Sequence, residues 1–227
     1  GGEPVGSGTP LKLLHTNVHS RNDSYDRLID LVAGEDPDII FLQEVTELWA
    51  NAAAALSTSH PHSYLQPREG HFGIAVFSKL PFQTVRHIDS PPLDHPTIIA
   101  EIVVDGQKLN IVSSHPMIPL GDALYDARNE QLRSIADVVS ALDGKVVLTG
   151  DFNASLWDPK FRMLEQATGL KNVRKGFGVI PTWPTYMPIA MIPIDHVLVS
   201  EEIGVREVRT GMRIGSDHLP LVVTVEL

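Results

Sequence analysis

Two apolar runs, Ile98 to Val104 and Lys108 to Ser113, flank Asp105-Gly106 near the middle of the chain. Asp-Gly between strand-like segments signals a two-residue hairpin, because a type I′ turn needs positive φ at both central positions. Strand and helix patterns alternate along much of the remaining chain, which by itself would suggest a parallel, doubly wound sheet. A plain sheet of that kind does not contain a hairpin. The expected fold is therefore α/β, with mixed sheets packed together under helices.

The other elements are read from periodicity and punctuation. Leu11 to Val18 is an apolar run bounded by a proline and a polar loop, and reads as a strand. Tyr25, Leu28, Ile29 and Val32 fall at helical spacing, with Asp23 or Ser24 as N-cap and Gly34 as stop. Ile39 to Gln43 is a short buried strand, and Thr46 caps a helix through Leu56. Phe72 to Ser78 and Val146 to Thr149 read as strands, Asp122 to Leu142 as the longest helix, and Pro159 to Thr168 as another. Three strands close the chain: Ile194 to Val199, Val205 to Arg209 and Leu219 to Val225. With no repeat or linker between Leu11 and Leu227, residues 11–227 are expected to form one domain, for which 227 residues suffice. Gly1 to Pro10 (GGEPVGSGTP) is small, polar and aperiodic, and reads as a tag remnant or cut linker outside the fold.

Composition removes several chemistries. The chain has no cysteine, which excludes disulfides, zinc–thiolate sites and thiol nucleophiles. A formal charge of −10 opposes tight, sequence-independent nucleic-acid binding, yet it agrees with carboxylates clustered around a metal. No run approaches the roughly 18–20 apolar residues that cross a bilayer.

The informative residues stand at strand ends, where a rigid sheet can aim side chains into a common cleft. Gly150-Asp151-Phe152-Asn153 follows a strand directly: glycine lets the chain turn out of the sheet, and an acid and an amide two residues apart can then face one side. Ser216-Asp217-His218-Leu219-Pro220 precedes the last strand, placing a metal-type ligand beside an imidazole. Glu44 ends the strand Ile39 to Gln43, and Asp195 enters an apolar strand, where a buried acid requires a partner. Ser114-His115-Pro116 ends the hairpin, and Asn17 closes the first strand. Each segment alone is equally a turn, an Asx motif or a surface histidine.

In this order (Asn17, Gln43-Glu44, His115, GDFN, Asp195, Ser216-Asp217-His218) the segments resemble the endonuclease/exonuclease/phosphatase superfamily. That group includes secreted deoxyribonucleases, abasic-site endonucleases, neutral sphingomyelinases and inositol polyphosphate phosphatases. Gly73 to Lys79 (GIAVFSK) also resembles a strand of the family, and the resemblance spans Leu11 to Leu227. It implies a deoxyribonuclease-I-like, four-layer α/β/β/α sandwich with the active site at one end of two packed sheets.

The resemblance also implies roles. Glu44 is the principal Mg²⁺ ligand, with Asn17 and Asp217 close to the metal; Mn²⁺ or Ca²⁺ could replace Mg²⁺. Asp151 positions or deprotonates the attacking water, and Asn153 donates to a phosphate oxygen. His218, oriented by Asp195, contacts the scissile phosphate, and His115 is a candidate acid for the leaving oxygen. The implied activity is nuclease-like hydrolysis of a phosphodiester. A phospholipid or inositol-phosphate esterase is the alternative, and a catalytically silent binding module a lesser one. Arg128, on the long helix, could steady a phosphate or be simply solvated. Trp183 in the proline-rich loop Gly176 to Pro193 could contact substrate or, with Tyr186, fill a cluster under the loop. His196 is expected to pack; His60-Pro61-His62 reads as loop; His15, His19, His71, His87 and His95 show no partner pattern.

A monomer is expected. The segment further resembles the soluble C-terminal part of bacterial members anchored by transmembrane helices, which would place it on the extracytoplasmic face. Without an anchor it would be cytoplasmic.

Overall fold

The computed structural model describes residues 8–227. The chain runs β1 (Pro10–Asn17), α1 (Tyr25–Glu35), β2 (Ile39–Gln43), α2 (Glu47–Ala53), β3 (His62–Gln66), β4 (Ile74–Ser78), β5 (Phe82–Ser90) and β6 (His95–Val104). It continues through β7 (Gln107–Ser114), α3 (Asp122–Ser140), β8 (Lys145–Asp151), α4 (Pro159–Thr168), β9 (Lys171–Asn172), β10 (Asp195–Val199), β11 (Gly204–Thr210) and β12 (Leu221–Glu226). Of the supposed linker, residues 1–7 lie outside the described residues, and Pro10 already pairs with Glu226.

Central strands that are apolar on both faces must be covered twice. Leu13, Ile39, Phe41 and Val76 meet Ile98, Ile111, Val147 and Val197 in a core between two sheets. The alternate residues Leu14, Ile40, Leu42 and Phe77 face outward, against Leu28, Leu31 and Trp49 of α1 and α2. On the other side Val112, Val146 and Leu148 pack under Leu132, Ile135 and Phe161 of α3 and α4. The result is the expected four-layer α/β/β/α sandwich. At about 25 cal/mol per Å² of apolar area buried, these three cores are the main favourable contribution to folding.

One sheet has the order β11-β12-β1-β2-β4-β3, the other β5-β6-β7-β8-β10-β9. Among the described residues only β1/β2 and β7/β8 pair in parallel, and the other pairs are antiparallel. The order β12-β1-β2-β4-β3 thus recurs as β6-β7-β8-β10-β9, with α1 and α3 as the crossovers of the parallel pairs. No sequence repeat marks this recurrence.

The hairpin forms as read. Val104 pairs with Gln107, and Asp105 and Gly106 take φ of 50° and 75°. Thr46 caps α2 by accepting from the Trp49 amide (3.3 Å), although α2 ends at Ala53 and continues as a tighter 3₁₀ turn over Ala54–Thr58. One expectation fails locally: helix α1 passes through Gly34, stopping only where Asp36 turns left-handed (φ 47°). Ser24 stands at the N-cap as read, without a side-chain bond. Strands β3, β5 and β9 escape sequence reading because they lie at sheet edges, carry polar side chains and lack a clean alternation. His62 therefore opens a strand rather than lying in a loop.

Candidate active site

The two parallel pairs send the carboxyl ends of β1, β2, β7 and β8 to one end of the sandwich. Gln43 ties these ends together across the sheets: its Nε2 donates to the Ser114 carbonyl (2.8 Å) and its Oε1 accepts from the Asp151 amide (2.8 Å). Gly150 permits the close approach, since a Cβ there would stand 2.0 Å from the Ser114 carbonyl oxygen.

Past this clasp the functional side chains converge. Asn17 Nδ2 donates both to Glu44 Oε1 (3.1 Å) and to Asp151 Oδ2 (3.2 Å). Glu44 leaves β2 at φ 62°, and its Oε2 accepts from the Ser20 amide (2.8 Å) and bonds His71 Nδ1 (2.9 Å). Burial pushes the Glu44 carboxyl up, but the positive field of His115 and the donors His71, Ser20 and Asn17 together hold it at about 2. Glu44 is thus an anion at any physiological pH.

Asp195 faces Asp151 in the β8/β10 register and is fully buried. Its Oδ2 bonds His218 Nδ1 (2.8 Å) and its Oδ1 bonds His15 Nε2 (3.0 Å). Burial opposes charge on His218, yet Asp195 and then Asp151 outweigh it and raise the imidazole to about 10. Burial likewise opposes charge on Asp195, and His218 and His15 hold it well below the usual carboxylate range. The other face of His218 looks at Asp151, with Nε2 3.6 Å from Oδ2. His115 Nε2 approaches the same oxygen at 3.5 Å; burial lowers its pKa, and Asp151 and Glu44 more than reverse this. One carboxylate oxygen of Asp151 therefore stands among an amide and two imidazoles.

Asn153 takes φ 50°, and its amide nitrogen donates to Asp151 Oδ1 (3.0 Å) while Nδ2 reaches the Pro116 carbonyl (3.0 Å). Ser216 Oγ donates to the Asn17 carbonyl (2.7 Å) and accepts from the His218 amide (3.0 Å), joining the last loop to the first strand. Asp217 Oδ2 accepts from Trp183 Nε1 (3.0 Å), and its Oδ1 is buried without a partner.

A cleft of about 330 Å³ opens onto this cluster, lined by Glu44, His115, Asp151, Asn153, Asp217 and His218, with Trp183, Ile192 and the Ile118–Leu120 turn as walls. Asn17 and Asp195 stand behind the lining. A larger cavity of about 580 Å³, beneath the segment starting at Gly176, contains none of these residues.

Family membership follows from the sequence as a whole: the profile of the Endonuclease/Exonuclease/phosphatase family matches residues 14–218. The chain belongs to this family. No curated protein matches it by sequence. Among solved structures, a humanized D. rerio TDP2 superposes with TM-score 0.81 at 20% identity, covering 96% of this chain and 99% of that one. The endonuclease/exonuclease/phosphatase from Beutenbergia cavernae gives TM-score 0.81 at 20% identity, over 96% of this chain and 72% of the other. D. rerio TDP2 complexed with a single-strand DNA product gives TM-score 0.81 at 18% identity, over 96% and 100%. At these identities the likeness speaks for the fold.

Endonuclease/exonuclease/phosphatase enzymes act on phosphoester bonds with a divalent metal, and the residues here fit such an ion. Ligand atoms of Asp151, Asp195 and His218 lie within 4.8 Å of one another. Both Asp195 oxygens, however, are already taken by imidazoles. Asp217, also on the cleft, keeps its Oδ1 without a donor, and that oxygen is of the kind a hard cation takes.

Arg128 corrects the sequence reading. It is neither in the cleft nor solvated: the guanidinium is fully buried, donating to the Asn153 carbonyl (2.9 Å) and pairing with Asp158 (2.9 Å). It supports the Asn153 turn from behind. Tyr186 fills no cluster under its loop, being 69% exposed, whereas Trp183 is half-buried on the cleft wall. His196 packs, stacked on Phe161 (4.0 Å) and bonded to the Ala154 carbonyl (2.8 Å), with burial lowering its pKa to about 3. Sequence reasoning missed His15 and His71. His15 was findable, because it shares a strand face with Asn17 two residues on. His71 was not, since its place beside Glu44 depends on the β2/β4 register.

Proposed function

We propose that the chain is a divalent-metal-dependent phosphodiesterase acting by in-line attack of water at this cleft. The observation that carries the reading is Asp151 Oδ2, held 3.2 Å from Asn17 and within reach of His115 (3.5 Å) and His218 (3.6 Å). A carboxylate so placed orients a water and accepts its proton. His218, kept cationic by Asp195, faces the negative charge that grows on the phosphoryl oxygens, and Asn153 adds a donor. His115 would protonate the leaving oxygen. Glu44, Asp217 and Asn17 would hold the cation, which when bound polarises the phosphoryl group and offsets its charge. Positioned proton transfer contributes about 10²–10⁴-fold in such reactions. The same chemistry serves a nuclease-like substrate or a lipid-type diester, and the TDP2 complex with a single-strand DNA product belongs to the same fold.

The test is hydrolysis of methyl p-nitrophenyl phosphate with Mg²⁺ or Mn²⁺ against an EDTA control. Metal-dependent release of nitrophenol is expected. A folded protein that releases none with either ion would overturn the proposal.

A further inference from the structure

The cleft lining has an unexpected composition for a polynucleotide site. Among the described residues that line it there is no lysine or arginine, while Glu44, Asp151 and Asp217 contribute three carboxylates. A polynucleotide brings a phosphate at every step, and its affinity comes from cations set along the backbone. Here the chain as a whole carries −10. Arg128 is buried behind Asn153, and Arg213, beside the loop after Trp183, is turned onto the Thr185 carbonyl (3.2 Å).

The remaining walls are apolar. Ile118 and Leu120 form one side, Trp183, Ile192 and Ile194 another. Trp183 and Ile192 are bridged strand-like across the base of a loop, and Thr185 and Thr182 tie that base to Asp217 and Leu219. Tyr186 (69% exposed), Met187 (52%) and Ile189 (102%) are exposed on the loop that this base closes, and Leu120 (73%) is exposed on the cleft wall. Apolar surface continuous with a polar reaction centre marks where an apolar ligand group lies.

Resting on the phosphodiesterase reading, we propose that the substrate is a diester carrying a single phosphate and an apolar substituent, which lies on the Leu120 and Trp183/Ile192 walls. One phosphate needs only the groups at the cleft floor. The chemistry is shared by a lipid in a bilayer and by a free, monomeric alkyl phosphodiester.

A homologous series from methyl to hexyl p-nitrophenyl phosphate, kept monomeric, tests this with the metal-loaded enzyme. kcat/KM should rise with chain length, by up to about fourfold per buried methylene. The Leu120→Ser variant, altered at an exposed position that the fold does not need, should flatten that slope. Release of the headgroup from phosphatidylcholine or sphingomyelin vesicles, faster than hydrolysis of the hexyl ester, would assign the source to a bilayer; activity on the monomer alone would assign it to a free ester. Methyl-ester hydrolysis with no dependence on chain length refutes the apolar subsite while leaving the phosphodiesterase reading standing. Faster turnover of single-stranded oligonucleotide than of the hexyl ester refutes it as well.

Discussion

Replacing Asp195 by Asn keeps the shape of the side chain and removes the charge that two imidazoles share. Against a burial that opposes charge, the buried anions, Asp195 foremost, lift the His218 pKa from the ordinary 6.5 to about 10. That difference corresponds to at most about 5 kcal/mol, and removal of one partner from a buried ion pair costs about 3–5 kcal/mol. The folded value lies above the unfolded one. The stabilisation is therefore complete below pH 6.5 and fades as pH rises towards about 10. In metal-free protein, urea unfolding at pH 6 should show Asp195→Asn destabilised by about 3–5 kcal/mol. The gap should then narrow by up to about 1.4 kcal/mol per pH unit above the unfolded pKa. A gap below about 1 kcal/mol at pH 6, or one indifferent to pH, would refute the charge-pair reasoning, since a neutral hydrogen bond accounts for about that much.

Glu44→Gln should fold normally and lose most activity, with partial recovery at high metal; calorimetric titration should show weakened Mg²⁺ or Mn²⁺ binding, and full activity would remove Glu44 from the site. Asp151→Asn and His218→Ala should each lower kcat by about 10²-fold or more, with a double mutant far short of the product; multiplicative losses would mean that the two do not act as one unit. Arg128→Ala should unfold more readily, by about 3 kcal/mol, because it removes the partner of Asp158 Oδ2 and the donor to the Asn153 carbonyl from a buried site. Unchanged thermal stability with a raised KM would restore the substrate role that burial denies it.

The local signals were legible without any structure. Asp105-Gly106 determines its own turn, because positive φ is decided by the residues that must adopt it. The central strands carry apolar residues on both faces, so their need for cover on two sides is written in composition alone. Asn17, Glu44, Asp151, Asn153 and His218 stand at strand ends or in loops, and their residue types with their order identified the family. What the sequence could not decide is register. Gln43 reaches Ser114 and Asp151, and Asp195 bonds His15, across separations set by strand register and by how one sheet packs on the other. The same indeterminacy hid His71 and left Arg128 open between a phosphate contact and a solvated face. A helix face reads alike whether it meets water or a buried carbonyl, and only packing of α3 against the Asn153 turn put that guanidinium in the interior. Local conformational preference belongs to short windows of sequence; contact between distant strand ends belongs to the pairing of sheets, and the site is made of such contacts.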